Sequence, residues 1–234
     1  EEFLEKFKTA IASTAKSISS IEDVEVVFGN QNLDKNKLTI RLPELDSVVN
    51  YTKTRALADS EALKIRYSNE KILKTYEPTG DVSKKLYSIA EKIRYESLGG
   101  KMLKGIKKNF ENNYNKIINF KKKDHLKTKK DVPVSEAFEL YMLKKFHNIK
   151  LSPLSTKILS FWEKDFESSI DKHLNFLKNN LENQENYSSK FSEILQEMDI
   201  FQNEENNEIN EENQNDDQKN PSNNDQEKES DDKK

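Results

Sequence analysis

The 234-residue chain is 33% hydrophobic and 35% charged, with a net charge of −3 and a mean hydropathy of −0.96. It contains no cysteine, which excludes a disulfide framework, a thiolate metal site and a cysteine nucleophile. No apolar run approaches the roughly 20 residues of a membrane-crossing helix, and Glu1-Glu2-Phe3-Leu4-Glu5-Lys6 is not the start of a signal peptide; a soluble, cytoplasmic protein is expected.

Charge is unevenly distributed. Residues 203–234 hold twelve acidic and four basic side chains, a net of −8, so the chain's −3 leaves +5 on residues 1–202. Apolar residues nearly vanish beyond Gln202. A segment of that composition cannot offset its ordering entropy, and a disordered acidic tail is expected.

From the N-terminus, Phe3, Leu4, Phe7, Ala10, Ile11, Thr14, Ala15 and Ile18 form one stripe of a 3.6-residue helix. The period then changes. Val24–Phe28 and Lys37–Leu42 are β-prone runs flanking Gly29-Asn30 and Asp34-Lys35-Asn36, and they predict a small hairpin closed by Pro43. A helix is expected from an Asp46 or Ser47 cap to about Tyr76, where Pro78-Thr79-Gly80 ends it. The next carries Val82, Leu86, Ile89, Ala90 and Ile93, and later Met102, Ile106 and Phe110. Within it Gly99-Gly100 marks either a kink or a close approach of another backbone, since two glycines cost a helix about 2 kcal/mol.

Residues 101–130 contain eleven lysines against Glu111 and Asp124. Lys121-Lys122-Lys123 and Lys127-Thr128-Lys129-Lys130 read as an exposed connector. Helices follow over about Val134–His147 and from a Ser152 cap with Pro153 in its first turn, the latter carrying Phe161, Trp162 and Phe166 towards Leu181. That aromatic stripe is expected in the core rather than as an exposed anchor. A last helix holds Phe191, Ile194, Leu195 and Met198. The fold class expected is mainly α: a helical domain with one small N-terminal β-hairpin and a disordered acidic C-terminal tail.

Motifs for autonomous chemistry are missing. None of the five glycines lies in a GxxxxGK[ST] or GxGxxG pattern, and GxSxG, HExxH and EF-hand loops are absent. His125, His147 and His173 are too far apart to pair on one helix, so no metal site is expected. No catalytic residue, bound cofactor or bound metal is assigned to this chain. Arg55, Asp59 and Arg66 share one helical face, because offsets of 4 and 11 residues return within about 40°. Glu91, Arg94 and Glu96 follow on the next helix. These six residues are the candidate site, either a structural charged cluster or a partner-binding face.

The same residues carry a resemblance. Arg55-Ala56-Leu57-Ala58-Asp59-Ser60-Glu61-Ala62-Leu63-Lys64-Ile65-Arg66-Tyr67 resembles the RxxADSxAL(R/K)xRxH segment of the CobT subunit of aerobic cobaltochelatase. Val26-Val27-Phe28-Gly29 with Arg41-Leu42-Pro43 is similar to that family's early hairpin and its exit. Glu91–Gly99 resembles its EqaRvEaiG segment, with Met102, Gly105 and Asn109 where MxGvxxN continues, and Trp162 fits a later tryptophan. The sequence departs from the family pattern at Ser68, Asn69 and Leu73, where histidine, aspartate and histidine are expected.

The resemblance implies a non-ATPase subunit of a multi-subunit chelatase, a ligase inserting cobalt into a corrin ring in cobalamin biosynthesis. The implied partners are a AAA+ subunit and a large corrin-associated subunit in a hetero-oligomeric ring, and the full complex is expected to use ATP, Mg²⁺ and Co²⁺. The expected organisation has the family motifs in residues 1–120, a lysine-rich connector at 121–132 and further helices packing on the first part at 133–202. Residues 203–234 would be an acidic linker toward a missing C-terminal von Willebrand A domain. Two other readings are an adaptor of a AAA+/von Willebrand A chaperone pair acting on another client, and a basic nucleic-acid-binding module. The last is disfavoured because the lysine stretch lacks any base-reading motif.

Overall fold

A computed structural model describes residues 2–30, 37–45, 51–118 and 126–198. Helix α1 (Glu2–Ser19) follows the predicted stripe and buries Ile11, Ala15 and Ile18. Strands β1 (Glu25–Phe28) and β2 (Thr39–Leu42) follow, then α2 (Tyr51–Tyr67), α3 (Glu70–Thr75), α4 (Asp81–Met102) and α5 (Lys104–Ile118). Beyond a short 3-10 turn at Lys129–Asp131 come α6 (Val134–Met142), a π-turn (Leu143–His147), α7 (Pro153–Ser160) and α8 (Glu163–Ile170). Helices α9 (Leu174–Asn179) and α10 (Gln184–Glu197) complete it. The Asp46 or Ser47 cap, Lys121–Lys123, His125 and the acidic tail lie outside the described residues.

The two strands pair as expected, but not as a hairpin. They run parallel, with Glu25 opposite Thr39 and Phe28 opposite Leu42. Alternating burial looks the same whichever way a strand runs, so the pattern that identifies both runs is blind to their direction. Strand β2 packs against α2, which packs along α1.

Predicted helices are found, yet several are broken where a tertiary contact intervenes. The expected helix to Tyr76 divides at Ser68-Asn69, and Asn69 caps α3 by accepting from the Lys71 amide at 3.0 Å. The next helix runs unbroken through Gly99-Gly100 and stops at Leu103, which is extended. Gly99 is needed for a side chain rather than a backbone: a Cβ there would collide with Leu63, which is fully buried. The Ser152 cap forms, with its hydroxyl accepting from the Ser155 amide at 3.2 Å and Pro153 in the first turn. The helix expected beyond it is split into α7, α8 and α9.

One core joins the early and late helices. Helix α4 packs on α2, α5, α6 and α10, burying Leu86, Ala90 and Ile93. Phe138, Phe166 and Phe191 meet edge-to-face beneath it, with ring centroids 5.5 and 6.3 Å apart. Phe161 and Trp162 are half-buried against this core. The Trp162 indole donates to the Val132 carbonyl at 3.0 Å, and Lys129 lies over its ring.

Candidate functional site

The six charged residues do not form one cluster. They divide into three networks along the α2–α4 packing line, with Arg66 apart from them on the surface.

The innermost centres on Arg94, which is 1% exposed. Its Nε donates to Glu91 Oε2 at 2.7 Å and its Nη2 to Glu91 Oε1 at 2.9 Å, a bidentate pair one helical turn apart. The remaining donors leave α4. Nη2 also reaches the Tyr67 carbonyl at 2.6 Å, and Nη1 the Leu181 carbonyl at 2.7 Å. The end of α2 thus has a guanidinium on an otherwise orphaned carbonyl, which accounts for the break at Ser68-Asn69. Glu91 also accepts from the Ser68 hydroxyl at 2.6 Å and the Gln184 amide at 3.1 Å. Gln184 in turn receives the Asn69 backbone N–H at 2.7 Å and donates to the Asn69 carbonyl at 3.2 Å. Ser68 and Asn69, two of the positions that depart from the family pattern, are members of this knot. Burying the pair is tolerable because nearly every polar atom in it has a partner.

The second network holds Glu96, 2% exposed, whose carboxylate is bonded by hydroxyls. The Ser60 hydroxyl donates to one carboxylate oxygen at 2.7 Å and the Tyr114 phenol to the other at 2.9 Å. Burial pushes this carboxyl above its ordinary range, and Lys92 and the two hydroxyls only partly offset that.

The third is asymmetric. Asp59 is buried, accepts from the Asn109 side-chain amide at 2.7 Å and lies 3.4 Å from Arg55 Nε. Its carboxyl is also raised by burial, against the lowering effects of Asn109 and Arg55. Arg55 Nε itself is buried without a hydrogen bond, while the far end of the side chain reaches Thr14. Arg66 is exposed and clasps the end of α1, donating to the Ile18 carbonyl at 3.1 Å and to the Ser20 hydroxyl.

Sequence reasoning missed the partners Ser60, Asn109, Tyr114, Ser68 and Gln184. Helical geometry within one segment cannot reveal a residue contributed by another. A signal existed for two: Asp59 and Asn109, and Ser60 and Glu96, lie in separate resembling segments that meet in the interior.

Near Arg55 two aliphatic side chains are exposed. Leu103, 49% exposed, and Met102, 36% exposed, occupy the α4–α5 break. Leu103 shares a cleft with Arg55 and Ile18, and Met102 Sδ receives the Tyr67 hydroxyl at 3.8 Å. Arginine flanking exposed aliphatic side chains is a composition suited to a protein interface.

Among the described residues, no three His, Asp or Glu side chains converge on a metal position, and no helix is long and apolar enough to cross a membrane. The family model described as cobalamin biosynthesis protein CobT matches residues 1–234. No solved structure matches the chain.

Proposed function

Because the chain belongs to the CobT family, we propose that it acts in cobalamin biosynthesis as a non-ATPase subunit of a cobaltochelatase. In this reading it docks a AAA+ partner and couples that partner's ATP hydrolysis to insertion of cobalt into a corrin ring. Cobalt and corrin are substrates carried by other subunits, with ATP and Mg²⁺ on the AAA+ partner, in a cytoplasmic hetero-oligomeric ring. This chain supplies a rigid body with a binding face.

The observation that carries the docking role is the exposed Met102-Leu103 break, with Arg55 in the cleft beside Leu103 and Arg66 over Tyr67, which contacts Met102, beside a buried ionic interior. The interior networks fix how α2, α4 and α10 pack. The face therefore moves as one piece with the helices behind it, which is what transmitting force or conformation from an ATPase requires. Its positive charge suits an acidic patch on the partner and would speed encounter as well as orient it.

Light scattering on the chain mixed with its cognate AAA+ subunit tests this, with and without ATP and Mg²⁺. A nucleotide-dependent rise in mass to a ring complex is expected. Two well-folded partners that remain separate under every nucleotide condition would overturn the docking role.

A further inference from the structure

We propose that the cleft between α4, α5 and the π-turn is a binding site for a small, ring-bearing organic anion. The cleft has a volume of about 320 Å³, at the lower end of small-molecule sites. Phe110, Phe146 and Leu181 supply its apolar lining, and Lys101, Lys107 and Lys178 its charge. Lys107 lies 3.9 Å from Glu111. Lys101 and Lys178 pair with no carboxylate among the described residues, and Lys178 lies 5.8 Å over the Phe146 ring. Among the described residues the one carboxylate lining the cleft is Glu96, already engaged by Ser60 and Tyr114. Two cations without a counter-ion among the described residues therefore border an aromatic surface, an arrangement that selects negative charge attached to a flat apolar body.

Two features separate this cleft from an accidental gap. The chain here leaves α-helical geometry for a π-turn, Leu143–His147, and then a left-handed Asn148. Such local departures concentrate at functional sites. The π-turn carries His147 to the cleft wall, buried, with a 3.5 Å approach to the Ile93 carbonyl and its ring 6.4 Å from Phe110. Burial holds its imidazole down at about 4, so it is neutral at physiological pH and lines the cleft without adding charge. Gly100 leaves the α4 wall bare: a Cβ there meets only Lys107, at 3.5 Å.

The test is a fluorescence titration of the full chain with 1-anilinonaphthalene-8-sulfonate, a flat aromatic anion, repeated on two variants. Lys101→Glu/Lys178→Glu reverses the rim charge at two exposed positions. Gly100→Phe fills the cleft and keeps every lysine. Far-UV circular dichroism melts verify that both variants fold. Expected is saturable binding of one probe per chain that weakens with salt, and weakens about tenfold or more in each variant. An unsaturable wild-type signal, or unchanged affinity in both variants, overturns the site. Loss only in the lysine variant would place the anion on the outer surface, and loss only in Gly100→Phe would make the cleft indifferent to charge; either result also contradicts the proposal.

Discussion

Arg94 and Arg66 are the same residue type on adjacent helices, and the molecule uses them in opposite ways. Arg94 is enclosed, satisfied on every nitrogen and joined to three chain segments. Arg66 lies on the surface, bonded to the end of α1 and over the ring of Tyr67, whose hydroxyl meets exposed Met102. The difference lies in what surrounds each charge when its partner is removed. Without Arg94, Glu91 is left as a buried anion that water cannot reach. Without Arg66, solvent replaces the lost bonds.

The largest expected effect follows from that contrast. Arg94→Ala should destabilise the chain by about 3–5 kcal/mol, the penalty of stranding one member of a buried pair. Urea unfolding would check it, and a loss below about 1 kcal/mol would mean the knot is far wetter than its geometry implies.

A second test concerns titration in the interior. Burial lowers His147 from an ordinary 6.5 to about 4, so between those values the unfolded chain takes up a proton that the folded chain refuses. Its contribution is fully present above pH 6.5 and is lost as pH falls towards 4, about 3 kcal/mol in all. Asp59 and Glu96 are raised by burial and act with the opposite sign, the folded chain holding protons that the unfolded chain has released. Comparing wild type with His147→Gln isolates the histidine: the wild type should lose stability relative to the variant across pH 6.5 to 4. A pH-independent difference would contradict a neutral, buried imidazole.

Adjacent glycines sharpen the contrast between enclosed and open positions further. Gly99→Ala drives a methyl into Leu63 and should cost about 1–3 kcal/mol. Gly100→Ala meets only an ordinary contact and should stabilise α4 by up to about 1 kcal/mol through helix propensity. Thermal melts of the two variants, displaced in opposite directions, would bear this out; equal displacements would not.

How much of this was legible beforehand depended on the range of the interaction. The α1 stripe, the Ser152-Pro153 start of α7 and the β-prone runs rest on local periodicity and capping, and these were readable. The break after Tyr67 was not, because it depends on a guanidinium arriving from α4. Nor was the parallel pairing of β1 and β2, since alternation carries no direction. The same limit applies to the candidate site. Spacing placed Arg55, Asp59 and Arg66 on one face, but it could not distinguish a buried Asp59 from an exposed Arg66. It also could not find Asn109, Ser60 or Gln184, whose contributions come from other segments of the chain.

The most direct test of the account pairs two readouts on Arg66→Ala: unfolding free energy, and assembly with the AAA+ subunit measured by light scattering in ATP and Mg²⁺. A stability change within about 1 kcal/mol together with a clear loss of complex is expected. A variant that unfolds, or one that assembles as well as wild type, would contradict the division between a structural interior and a docking face.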